Sequence, residues 1–313
     1  MQQASISYLD YYIPEEKLYT VDLIESIDVA GLPASFEDKE DYAAFVSEVL
    51  ELESVPVETR MDGAGMIHYL LQKLFDGGFS PSAVDLIVVV QDTPQSGMSN
   101  LGHYFQHAFQ MNSANVLQMG GNHCCNMEVC LRYVLRLMDG DHTIRNVLFV
   151  GYLKHRHLQD RIIGSYAIEG DGAGIMMVQK EGTGWRVPAS HLLTNGALHA
   201  ADMNADNSLI LCKYYVKCLR EILQQNHLTG RDIGAVIIQN ANKMLIEQCM
   251  AAEGIDPRCI YLGNYGKYGH LDCIDFIINL KDLSNSGLQP QSRLLSFGTG
   301  WAGTYIASLL TAQ

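Results

Sequence analysis

The sequence predicts an α/β protein assembled from two similar halves. Three observations support this. Short β-branched runs alternate with longer amphipathic stretches, the pattern of strands and helices taken in turn. Two pairs of these runs recur at nearly the same offset. The chain has 313 residues, more than one compact core usually needs.

The runs "VDLIVVV" (84–90), "NVLFVG" (146–151), "AGIMMV" (173–178), "IGAVII" (233–238) and "RLLSFG" (293–298) read as buried strands. The stretch "AGMIHYLLQKLFDGG" reads as a helix closed by its glycine pair, and "LILCKYYVKCLREILQQNHL" as a long amphipathic helix. "AVDLIVVVQ" ends at Gln91 and "DIGAVIIQ" at Gln239, 148 residues later; "NVLFVG" ends at Gly151 and "RLLSFG" at Gly298, 147 residues later. Matched strands at one offset point to duplication, with halves expected at 1–165 and 166–313. Residues 25–56 are acidic and read as a solvated helix.

Hydrophobic residues make up 48% and charged residues only 18%, so part of the surface is expected to be buried against a second subunit. The formal charge of −14 argues against a nucleic-acid partner, which needs a basic face. None of the eight cysteines falls in a CxxC pair or a zinc-ligand spacing, so no metal is expected. The start shows no signal-peptide pattern, and no stretch approaches the ~18 apolar residues of a membrane span. A reducing, cytoplasmic setting away from membranes is the expectation.

The stretch with chemical potential is "GGNHCCNMEVCLRYVLRLM" (120–138). Apolar residues at Met127, Cys130, Leu131, Val134, Leu135 and Met138 have helical spacing, and Gly120, Gly121 and Asn122 suit the turn before it. Cys124 and Cys125 therefore stand at a helix start, where unpaired amides and the helix dipole favour a thiolate, the form that attacks a carbonyl. Free cysteine is also often simply buried, and this stretch by itself leaves both readings open.

Three further features change the weighing. "GDGAG" (170–174) precedes a strand, "LLSFGTGWAGTYIASLL" reads as strand, glycine turn and strand, and "YIPEEKLYTVDL" lies near the start. With the duplicated halves and the mid-chain cysteine, the chain resembles the β-ketoacyl-acyl-carrier-protein synthase III family of the thiolase superfamily over nearly its whole length. The resemblance implies a five-layered αβαβα thiolase fold and a dimer, either homomeric or with a related ketosynthase. It implies a cysteine that takes an acyl group from a coenzyme A or phosphopantetheine thioester, with no permanently bound cofactor. Aligning "HCCNMEVCL" puts Cys124 at the nucleophile; Cys125 would need a one-residue shift. In "FGTG", the amide of Thr299 matches the oxyanion loop, joined by the amide of Cys124. Asp171 in "GDGAG" is expected to be structural.

The chain departs from the family at two places. The usual "HQAN" reads "QNAN", so Gln239 replaces the histidine and Asn242 keeps the last position, where it is expected to contact the substrate or its carrier. The second polar residue, normally Asn, is His270 in "YGHLDCID". Gln cannot act as a base, whereas an imidazole with a pKa near ~6.5 can. His270 is thus expected to be the acid/base group, oriented by Asp272, with Gln239 donating hydrogen bonds; His123 is a second candidate by adjacency. The expected coenzyme A region, "FVSEVLELESVPVETR", is acidic. "LKHRHLQDR", with Lys154, Arg156 and Arg161, is the expected contact for a carrier protein. The expected activity is acyl-thioester condensation in specialised (polyketide or fatty-acid-derived) metabolism. The alternatives are acyl transfer to an oxygen or nitrogen nucleophile and a non-catalytic partner subunit.

Overall fold

The computed structural model describes residues 4–28, 31–91, 101–198, 208–286, 293–301 and 303–312. The strands are β1 (Ser5–Tyr12), β2 (Lys17–Tyr19), β3 (Ser54–Pro56), β4 (Leu86–Val90), β5 (Asn115–Met119), β6 (Asn146–Leu153), β7 (Ile162–Ile163), β8 (Ala167–Ile168), β9 (Gly172–Gln179), β10 (Trp185–Thr194), β11 (Ala235–Ile238), β12 (Leu294–Gly300) and β13 (Thr304–Ala312). The helices are α1 (Thr20–Ser26), α2 (Lys39–Glu48), α3 (Gly63–Asp76), α4 (Leu101–Ala108), α5 (Asn126–Gly140), α6 (Ser208–Gln225), α7 (Lys243–Ala252) and α8 (Asp275–Asn285).

Nine strands join in the order β11-β12-β13-β10-β1-β9-β6-β4-β5. The order mirrors itself about the β1/β10 pair, which is held at Ser5↔Arg186 and Ile6↔Trp185. On one side β4 pairs in parallel with β5 and β6, and β9 pairs antiparallel with β6 and β1. On the other, β11 pairs in parallel with β12, and β13 antiparallel with β12 and β10. Where β5 would have its counterpart, Ile260 bridges Val236 in parallel. This symmetry is the physical form of the sequence offset. By strand order β9 lies with the first half, although a division at residue 165 gives it to the second.

Alternating side chains of these strands face two different cores. Leu86, Val88 and Val90 of β4, Met176 and Val178 of β9, and Ala235 and Ile237 of β11 pack with Met127, Leu131 and Val134 of α5 and Ile274, Ile277 and Ile278 at α8. Their neighbours Ile87, Val89, Ile175 and Met177 turn outward to Met66, Leu70 and Leu74 of α3. Val236, Ile238, Leu295 and Phe297 turn outward to α6 and α7. Helix, sheet, central helix pair, sheet, helix make five layers, as expected. The acidic segment forms α2, whose Tyr42 and Val46 are buried in a satellite core with α1.

The two central helices have matching entrances. A 3-10 turn, His123–Cys125, leads into α5, and another, Asp272–Ile274, leads into α8. Each begins with a left-handed residue, His123 at φ 49° and Asp272 at φ 53°, which stand 149 residues apart. The fold thus brings the two turns together under the ends of the parallel strands.

Candidate active site

Cys124 sits in the 3-10 turn just ahead of α5, with Cys125 as that helix's N-cap. Asn122 secures the turn: its N–H donates to Asn126 Oδ1 at 2.9 Å, and its Oδ1 accepts from Thr304 Oγ1 at 3.2 Å. The "FGTG" loop of β12 presses against this turn. A side chain at Gly300 would put its Cβ 1.9 Å from Asn122 O, so only glycine permits the contact.

The two cysteines differ in access. Cys125 is fully buried and its thiol donates to Asn122 O at 3.1 Å. Cys124 is partly exposed as a residue and lines a small cavity with Glu128, Ile238, Gln239, Phe276 and Ser296. Its thiol is nonetheless densely enclosed. Burial, then the nearby carboxyl groups of Asp272 and Glu169, push its pKa well above the ordinary value, and the thiol hydrogen-bonds Asp272. The expected helix-start depression of the thiol pKa is therefore overturned: Cys124 lies a turn ahead of the helix proper, among acids.

His270 is buried beside it. Donor atoms of Cys124, Glu169 and His270 all lie within 4.8 Å of one another. His270 is oriented by Asp275, not by Asp272: Nδ1 is 2.6 Å from Asp275 Oδ2. Asp275 opens α8 and also accepts from the N–H groups of Asn240 (2.8 Å) and Leu271 (3.1 Å) and from Asn240 Nδ2 (3.1 Å). Burial works to lower the imidazole pKa, but the Asp275 charge and hydrogen bond, with Glu169 and Asp272, outweigh it and push it up to about 9. His270 is thus a cation at neutral pH and not the neutral base expected from an unperturbed imidazole. The trio offers thiol, carboxyl and imidazole, donor types a zinc ion accepts. The same three groups can also exchange protons with one another and with a bound substrate.

Sequence reasoning missed Glu169 and Asp275. Glu169 precedes "GDGAG" and is buried; its main chain bridges to His270, with Gly170 N donating to His270 O at 3.0 Å. His155 Nε2 stands 2.7 Å from Glu169 Oε2, within ion-pair range though off the line of a hydrogen bond. Glu128 was also missed. It is buried on α5, accepts from Ser296 Oγ, and burial raises its pKa to about 8. No motif marks these acids; only the fold gathers them.

Gln239 behaves differently from its expected role. Its Nε2 donates to Thr299 O at 2.9 Å and its Oε1 accepts from Thr299 N at 3.1 Å. Both ends of the amide clasp the glycine loop, and the oxyanion amide expected at Thr299 is engaged. Asn242 anchors a loop: its N–H donates to Tyr166 O at 2.8 Å and its Nδ2 to Ser165 O at 3.5 Å.

The expected basic contact patch dissolves for two of its members. Lys154 Nζ donates to the carbonyls of Glu58 and Met61. Arg161 is 2% exposed and forks onto Asp171, with Nη1–Oδ1 at 2.9 Å and Nη2–Oδ2 at 3.0 Å. Both cations fold back because buried acceptors and a buried carboxylate need them; only Arg156 remains exposed. Asp171 is structural, as expected, and also accepts from the N–H of Glu58 at 2.9 Å.

Comparison with known proteins agrees with this architecture. Residues 223–312 match the family model for the 3-oxoacyl-[acyl-carrier-protein (ACP)] synthase III C terminal. A β-ketoacyl-[acyl-carrier-protein] synthase III of Chlorobium luteolum is 25% identical over 97% of this chain and 98% of its own. One of Solibacter usitatus is 26% identical, over 45% of this chain and 42% of its own. The crystal structure of 3-oxoacyl-[acyl-carrier-protein] synthase III from Aquifex aeolicus superposes with a TM-score of 0.79 at 19% identity, covering 98% and 99% of the two chains. A structure named as the acyltransferase ChlB3 gives 0.79 at 21% identity, covering 99% and 98%. Among the described residues no helix is long and apolar enough to cross a membrane. In fold, in its C-terminal family match and in its end-to-end relative, the chain is similar to the β-ketoacyl-acyl-carrier-protein synthase III enzymes.

Proposed function

We propose that this protein transfers an acyl group from a coenzyme A or carrier-protein thioester through an acyl-Cys124 intermediate, in specialised fatty-acid- or polyketide-derived metabolism. The observation that carries the reading is the cluster of Cys124, His270 and Glu169 with donor atoms within 4.8 Å, at the mouth of the central helix. Cys124 passes its proton to Asp272, to which it is hydrogen-bonded, and Sγ attacks the thioester carbonyl. The bond from carbon to the departing sulfur breaks, and the leaving thiolate takes that proton. His270, held as imidazolium by Asp275, donates from Nε2 to the developing oxyanion, a charge-assisted hydrogen bond in a site shielded from water. Thr299 N joins it once Gln239 swings aside. Arg156 is the exposed cation that meets an acidic carrier surface. A dimer fits the exposed edge strand β5, whose outer side has no partner strand among the described residues.

The non-catalytic reading is disfavoured, because a partner subunit has no need of a thiol, an imidazolium and two carboxyls gathered in one cluster. The test is intact-mass measurement after incubation with acetyl-CoA. The wild type gains one acetyl group and Cys124→Ser gains none; an unmodified wild type sinks the reading.

A further inference from the structure

We infer that Glu169 is the proton acceptor of the second half-reaction, and that the site serves an acceptor substrate with a proton to lose (an alcohol, amine or carbon acid) rather than a malonyl-type carboxylate. This rests on the acyl-Cys124 reading above.

Four observations converge. Glu169 stands in the cluster with the thiol and the imidazole. Its main chain is held by the bridge to His270 and by its N–H donating to Arg161 O at 2.8 Å, and its side chain is buried. His155 lies against the oxygen Oε2, which orients the group. The other members of the site have different tasks: Asp275 keeps His270 protonated, and Asp272 engages the thiol.

Transfer then balances simply. The acceptor X–H attacks the acyl carbon of acyl-Cys124, the X–C bond forms, and the X–H proton moves to the Glu169 carboxylate. The carbon–Sγ bond breaks, and Cys124 Sγ recovers the proton from Glu169. Decarboxylative condensation needs no such acceptor, since loss of CO₂ creates the carbanion. It does need a cation or neutral donors around the substrate carboxylate. Here that carboxylate would meet Glu169 and Asp272, the cation beside them is His270, already paired with Asp275, and Lys154 and Arg161 are committed to backbone carbonyls and Asp171. Like charges a few ångströms apart disfavour its binding.

The experiment starts from acetyl-Cys124 enzyme made with acetyl-CoA and freed of excess reagent. Loss of the acetyl mass is followed with 1-butanol as protic acceptor and, separately, with malonyl-CoA. The wild type discharges to 1-butanol faster than to malonyl-CoA. Glu169→Gln slows the first by ~10²-fold and leaves the second unchanged or faster. Glu169→Ala regains part of the first rate on adding formate, which a purely structural role would not allow. Discharge of Glu169→Gln to 1-butanol at the wild-type rate, or a preference for malonyl-CoA in the wild type, overturns the inference alone. Failure of the wild type to form acetyl-Cys124 overturns the parent reading with it.

Discussion

Asp275→Asn is the sharpest probe of the site's electrostatics. Asp275 receives His270 Nδ1 at 2.6 Å and is buried, and with its neighbours it holds the imidazole at about 9 against an ordinary ~6.5. That difference is worth ~3 kcal/mol of preference for the proton. Because the folded value lies above the unfolded one, the stabilisation is fully present below pH ~6.5 and is lost as pH rises through about 9. The wild type should therefore melt ~5 °C lower at pH 9.5 than at pH 6 from this group. In Asp275→Asn, burial of the imidazole is no longer opposed by its main partner, and the pKa falls to ~6.5 or below. At pH 7.5 the imidazolium fraction drops from ~97% to ~10% or less. The asparagine also gives up part of the set of N–H donors that Asp275 accepts, a loss of ~1–3 kcal/mol at every pH, so the slope with pH and not the absolute Tm isolates His270. The assays are thermal unfolding across pH 6–9.5 and NMR titration of the His270 ring. A wild-type His270 that titrates near 6.5, or an unchanged slope in the variant, refutes the reasoning.

Further outcomes follow from the same geometry. Gln239→Ala frees Thr299 N from its side-chain acceptor, so single-turnover acylation should be at least as fast as wild type; a ~10²-fold loss would mean that Gln239 itself serves the oxyanion. Arg161→Met strands the buried Asp171 carboxylate and should cost ~3–5 kcal/mol in urea unfolding, whereas the exposed Arg156→Ala should leave stability within ~0.5 kcal/mol while weakening carrier-protein binding. Sedimentation at micromolar concentration should give a dimer, and charged substitutions on the exposed face of β5 should shift it toward monomer.

The layers of the fold were legible because buried strands have few ways to be written. "LIVVV" and "NVLFVG" are apolar on both faces, and their recurrence near one offset announces the duplication that the mirrored sheet order displays. Helix α5 was legible from its spacing, whereas α8 was not, because attention stopped at "YGHLDCID" as a turn around His270, and α8 starts inside it at Asp275. That misreading carried a cost at the site. Counting along the chain favoured Asp272 as the partner of His270, but Asp272 is the left-handed residue that starts the 3-10 turn, and Asp275, at the first position of the helix, comes beneath the ring. Glu169 was hidden by the neighbouring glycines, which drew attention to the turn. The basic run 153–161 looked like a surface, and periodicity carries no sign that Arg161 folds inward onto Asp171. Local pattern records which residues are buried; it does not record which distant acids meet.

The central claim is that acyl-Cys124 is a true intermediate. Rapid-quench mass spectrometry with peptide mapping tests it most directly, with acetyl-CoA as donor and N-acetylcysteamine as acceptor. The account predicts an acetyl group on the peptide carrying Cys124, assigned to Cys124 by fragmentation, that forms and discharges at least as fast as steady-state turnover. An adduct on Cys125, or one on Cys124 that discharges more slowly than product appears, would contradict it.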